Sequence, residues 1–117
     1  MYAVLVMEMQ KDIVLEGGPA EVGEMARATV PNIQKFLAAA KERKVPIIYA
    51  NLCSLPGDPL FKKWPRAHCV PGTTGIEVVD ELKPKAGDYV VDIYAMNAFL
   101  RTDLEHILRA LGVTTVI

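Results

Sequence analysis

Ala3-Val4-Leu5-Val6-Met7-Glu8-Met9-Gln10-Lys11-Asp12 begins with five apolar residues in a row, without alternation, and then turns polar at a carboxylate. A short continuous apolar run reads as a strand buried on both faces, which calls for a parallel sheet covered by helices. Open sheets of that kind bind ligands beyond the carboxyl ends of their strands. Glu8 stands at such an end and is the first candidate site residue.

The rest of the chain supplies the elements that such a sheet needs. Glu16-Gly17-Gly18-Pro19 is a turn cluster that starts a loop over the strand end. From about 21 to 43 the period becomes helical. Met25, Ala26, Val30, Ile33, Phe36, Leu37 and Ala40 share one face, with Lys, Arg, Glu and Gln opposite. Pro31 allows two readings: a helix capped by Thr29 with Pro31 in its first turn, or an earlier start with a kink.

A second apolar, β-branched strand is expected over 45–52. A long irregular segment follows over 53–73, rich in Pro and Gly and carrying Phe61, Trp64, His68, Cys53 and Cys69. Loops of that length in compact domains are usually functional or disordered, and this one is expected to pack near the site. Thr74-Gly75-Ile76-Glu77 is a capping-box pattern that predicts a short helix to about Leu82, stopped by Pro84. A third strand is expected over 88–94. Thr102-Asp103-Leu104-Glu105 is a second capping box, opening a helix that buries Leu104, Ile107, Leu108 and Leu111 and ends at Gly112. A fourth strand starts at Val113.

The alternation of strands and helices predicts one α/β domain over residues 1–117, a three-layer sandwich around a parallel, Rossmann-like sheet with right-handed crossovers. The fourth strand would leave Thr114-Thr115-Val116-Ile117 as a bare apolar edge, an aggregation hazard. The domain is therefore expected to be incomplete at its C-terminus, with further polypeptide or another chain covering that edge.

Composition narrows the function classes. The 117 residues are 51% hydrophobic and carry a formal charge of −1, which fits a packed domain and argues against nucleic acid or an anionic membrane as the main partner. Two cysteines do not make a disulfide framework, and no signal-peptide pattern precedes the first apolar run, so a reduced cytoplasmic setting is expected.

The order of several short motifs resembles the isochorismatase-like cysteine hydrolase family, in its nicotinamidase and N-carbamoylsarcosine amidohydrolase group. The motifs are Val6-Met7-Glu8-Met9-Gln10-Lys11-Asp12, Leu15-Glu16-Gly17-Gly18-Pro19, Val45-Pro46-Ile47-Ile48-Tyr49, Trp64-Pro65, His68-Cys69-Val70, Gly87-Asp88-Tyr89-Val90-Val91, Ala98-Phe99 and Thr102-Asp103-Leu104. The resemblance implies hydrolysis of a small amide or carbamoyl C–N bond by an Asp, Lys and Cys set. In that set the thiolate attacks the carbonyl, the Asp carries protons, the Lys supports the charged pair and backbone N–H groups hold the oxyanion.

Carried over by position, the Asp is Glu8, which keeps the carboxylate and adds a methylene. The Lys position is Ile93, which supplies no cation, and Lys11 belongs to a different turn. The Cys is expected beyond Ile117; neither Cys53 nor Cys69 corresponds to it. Gln10 and Asp12 match supporting positions. Ile13 stands where the family usually has an aromatic, so a flat substrate loses a stacking wall.

The nicotinamidase branch holds a metal with an Asp-x-His pair and a later His. The pair falls here on Leu52 and Ser54, and His68 alone matches. Cys53, His68 and Cys69 have zinc-binding chemistry, but their spacing is not a recognised ligand set and plain packing is the favoured reading. No metal and no cofactor are expected. Phe61 and Trp64 are read as anchors of the loop or as a subunit contact rather than as pocket walls, and His106 as a solvated helix residue. Two functional readings follow: a family hydrolase with an altered triad, or a catalytically inactive scaffold in a homo- or hetero-oligomer.

Overall fold

The computed structural model describes residues 1–117. Strands β1 (Tyr2–Met7), β2 (Ile47–Leu52), β3 (Tyr89–Ile93) and β4 (Thr115–Val116) form one sheet in the order β3-β2-β1-β4. All three pairings are parallel, with Val4 opposite Ile47, Ile48 opposite Tyr89 and Tyr2 opposite Thr115. The central position of β1 and β2 is why their apolar runs show no alternation. All of β2 is buried.

Helices cover both faces. Helix α2 (Glu24–Glu42) sets Val30, Leu37 and Ala40 against Val4, Val6, Ile47 and Tyr49. Helix α3 (Leu104–Ala110) sets Leu104 and Leu108 against Ile48, Ala50, Val91 and Ile93 on the other face. A one-turn helix, α1 (Lys11–Val14), follows β1 directly. No helix is long and apolar enough to cross a membrane.

Of the two readings left open at Pro31 the earlier start holds, and several other local expectations are corrected. Helix α2 starts before Thr29 and runs through Pro31, while the Thr29 hydroxyl donates to the Ala26 carbonyl 2.7 Å away instead of capping. Its buried stripe is narrower than the apolar periodicity implies, since Met25 and Phe36 are exposed. Phe36 lines an apolar groove with Tyr2, Val4 and Ile117.

The helix expected over 74–82 is two separate 3-10 turns, Thr74–Ile76 and Asp80–Leu82, and the Thr74 box does not form. The residues between them pair with the exit of β1. Lys11 N–H donates to the Glu77 carbonyl (2.8 Å) and Val79 N–H to the Met9 carbonyl (2.9 Å), around an antiparallel Gln10–Val78 bridge. A helix would consume those backbone groups internally, so the tertiary ladder overrides the local signal.

The second box is also open. Thr102 Oγ1 donates to the Ala98 carbonyl (2.5 Å) and accepts from Leu104 N–H (3.3 Å), while Glu105 pairs with Arg109. Ile107 in α3 and Leu111 just past its end are only partly buried. His106 is exposed, as expected.

Candidate functional site

Glu8 lies just past the carboxyl end of β1 in the left-handed region, at φ 54, with its N–H donating to the Ala50 carbonyl at 3.0 Å. Non-glycine residues take that conformation at a cost of about 1–2 kcal/mol, and it persists where surrounding bonds fix it. The bend turns the carboxyl into a half-buried position at the sheet end. Burial raises its pKa above the usual glutamate value, and the nearby His68 opposes that rise.

Gln10 and Asp12 hold the surrounding loops. The Gln10 side chain is fully buried. Its Nε2 donates to the carbonyls of Leu52 (2.7 Å) and Ile76 (2.9 Å), and its Oε1 accepts from Leu52 N–H (2.7 Å). The amide thus prolongs the β1–β2 ladder past the end of the strands and ties it to the 74–79 segment. Asp12 Oδ2 accepts from Cys69 N–H at 2.8 Å. Gly75 packs on the same carboxylate so closely that a Cβ there would lie 2.1 Å from Oδ1.

Lys11 points away from Glu8. Its ammonium is 3.0 Å from Glu77 and 3.4 Å from Asp80. Ile93 ends β3 fully buried, within the apolar cluster of Leu52, Cys69, Ala98 and Leu104. Nothing cationic therefore replaces a lysine at that position.

The loop over 53–73 does pack onto the sheet end. His68 is buried, and Phe61 and Trp64 meet its ring edge-on at centroid distances of 5.7 and 5.2 Å. Phe61 anchors the loop on the core and also lines a cleft of about 190 Å³ with Ser54, Asp58, Lys62 and His68. The pocket-wall role set aside from sequence is thus real for Phe61. Trp64 stays half exposed.

Both cysteines are buried and free. Burial, with Asp12, Glu8 and Cys53 nearby, pushes the Cys69 thiol up to about 12, and burial followed by Asp92 raises that of Cys53. Reactive cysteines are the reverse: partly exposed and depressed in pKa.

The zinc implied by the nicotinamidase branch does not fit these residues. No three His, Cys, Asp or Glu side chains come together at ligand distance. Leu52, at one expected ligand position, is a buried aliphatic, and Ser54, at the other, presents a hydroxyl. The sequence marks Ser54 only as a failed ligand position, and no periodic or spacing signal points to its buried, unpaired Oγ.

Comparison with known proteins matches the isochorismatase domain model over residues 2–117. The ureidoacrylate amidohydrolase RutB of Agrobacterium fabrum is 29% identical over 139 aligned residues, covering 98% of this chain and 61% of that protein. A probable inactive nicotinamidase of Arabidopsis thaliana is 27% identical, covering 98% and 63%. The crystal structure of N-carbamoylsarcosine amidase from Thermoplasma acidophilum superposes with a TM-score of 0.87 at 34% identity, covering 98% of this chain and 64% of that one. The chain thus spans somewhat less than two thirds of the length of these relatives.

Proposed function

This chain belongs to the isochorismatase family of hydrolases, and from that premise we propose that it forms the carboxylate side of a pocket that hydrolyses a small amide or carbamoyl C–N bond. Glu8 is the proton-carrying group. The attacking thiol comes from outside residues 1–117, because Cys53 and Cys69 are buried and held protonated. In the step envisaged, the thiol gives its proton to the Glu8 carboxylate and its sulfur bonds to the carbonyl carbon. The C–N bond then breaks, the leaving amine takes the proton from Glu8, and water cleaves the thioester.

The observation that carries this reading is the Glu8 carboxyl itself: half-buried, fixed at the end of β1, and raised in pKa. A base is most effective when its pKa lies near the working pH, and burial moves Glu8 in that direction. Relatives named for ureidoacrylate and N-carbamoylsarcosine chemistry favour an amide or carbamoyl substrate.

One observation favours a second reading, a non-catalytic subunit of an oligomer. Ile93 fills the position of the supporting lysine with a fully buried aliphatic side chain. Ammonia release from a panel of primary amides and ureido compounds separates the two. Turnover that disappears in Glu8→Gln and after thiol alkylation supports the hydrolase. A folded protein that turns over none of them, and that light scattering finds assembled, supports the scaffold.

A further inference from the structure

The cleft beside the β2 exit contains two polar side chains with unused hydrogen-bonding capacity. Ser54 is 5% exposed, and its Oγ has no partner. Buried hydroxyls are rarely left unpaired, because desolvation is then uncompensated. His68 is 3% exposed and lines the same cleft. Its Nδ1 lies 3.2 Å from the Arg66 carbonyl oxygen. A carbonyl only accepts, so Nδ1 carries the proton, and in the neutral ring Nε2 presents its lone pair.

The backbone fixes these groups relative to each other. Cys69 takes a left-handed φ of 50. Its N–H is held by Asp12 Oδ2 at 2.8 Å, and its carbonyl accepts from Ser54 N–H at 2.9 Å. A costly conformation clamped on both sides is over-determined by its surroundings. Phe61 and Trp64 pack on the imidazole in T-shaped contacts. The co-ligands that would convert His68 to a metal ligand are absent.

We propose that His68 and Ser54 form a metal-free subsite that binds the N–H-bearing end of a small neutral amide or ureido group. Nε2 accepts an N–H from the ligand. The Ser54 hydroxyl donates to the ligand's carbonyl oxygen or accepts its second N–H. Phe61 supplies an apolar wall, and a cleft of about 190 Å³ suits a small molecule rather than a large one. The subsite deepens the amide reading of the pocket, but its test needs no turnover.

The purified protein is titrated with benzamide and, separately, with acetophenone, which keeps the ring and carbonyl and lacks the N–H. Long-range proton–nitrogen spectra report the His68 nitrogens. The expected result is a protonated Nδ1 in the free protein and a saturable shift of Nε2 with benzamide. Acetophenone should bind at least about fivefold more weakly. Ser54→Ala should keep or raise the melting temperature, since it removes an unpaired buried hydroxyl, and weaken benzamide binding severalfold. No saturable shift, equal binding of acetophenone, or unchanged benzamide affinity in Ser54→Ala would overturn the subsite. So would stoichiometric zinc binding that moves Nε2. Benzamide binding without ammonia release from any amide leaves the subsite standing and removes the hydrolase reading instead.

Discussion

On the proposed reading Glu8 and Ile93 together decide what the site can do, and each yields a prediction. Burial raises the Glu8 pKa, so between the unfolded pKa and the higher folded one the native state binds more proton than the unfolded chain. Stability from this group is therefore greatest at acid pH and falls as pH rises through that window. Glu8→Gln removes the ionisation. Relative to wild type, its melting temperature should be higher at neutral pH, with the gain fading toward about pH 4. Activity, where present, should drop about 10²–10⁴-fold, the usual worth of a general acid–base group. A Glu8→Gln protein less stable than wild type at neutral pH would mean that the ionised carboxylate has a partner. Ile93→Lys places an ammonium in a fully buried apolar site. Alone it should cost about 3–5 kcal/mol in urea denaturation. If the new cation reaches Glu8, the cost must grow further in the Glu8→Gln background, and a double-mutant cycle measures that coupling.

The sheet end is held by side chains that act as pieces of backbone, and sequence patterning does not see them. Gln10 was legible as a supporting residue only through its motif; its role as a bridge between Leu52 and Ile76 depends on which segments meet there. Gln10→Ala removes the Gln10 amide from the buried Leu52 N–H and carbonyl and from the part-buried Ile76 carbonyl. The expected loss is about 3–5 kcal/mol, read from the denaturation midpoint. Gly75 was read as part of a capping box, yet its lack of a side chain serves a close approach to Asp12. Gly75→Ala should cost about 1–3 kcal/mol through overpacking, and most of that cost should vanish in an Asp12→Ala background. The absence of a continuous 74–82 helix has the same origin: a local N-terminal signal lost to a ladder in which Glu77 meets Lys11 and Val79 meets Met9, more than sixty positions away.

Over the chain as a unit, the parallel sheet with helices on both faces was legible because β1 and β2 are interior strands, which in such sheets read as near-continuous apolar runs. The placement of β4 beside β1 was not, since two residues carry no periodicity. The candidate site residues divide in the same way. Glu8 stood out as a charge ending an apolar run, whereas Ser54 and the wall formed by Phe61 depend on how a long loop folds back. That folding-back yields the last prediction. Cys53 and Cys69 lie beneath the loop, with thiols raised in pKa by burial. Alkylation requires the thiolate and access to it. Native protein treated with iodoacetamide near neutral pH should show both residues unmodified by peptide mass mapping, and both modified once denatured. If alkylation of the native protein nonetheless blocks amide hydrolysis, the sulfur responsible lies outside these two positions. Rapid native labelling of Cys69 would instead mean that the loop lifts from Asp12 and breaks the Cys69 N–H bond to its carboxylate.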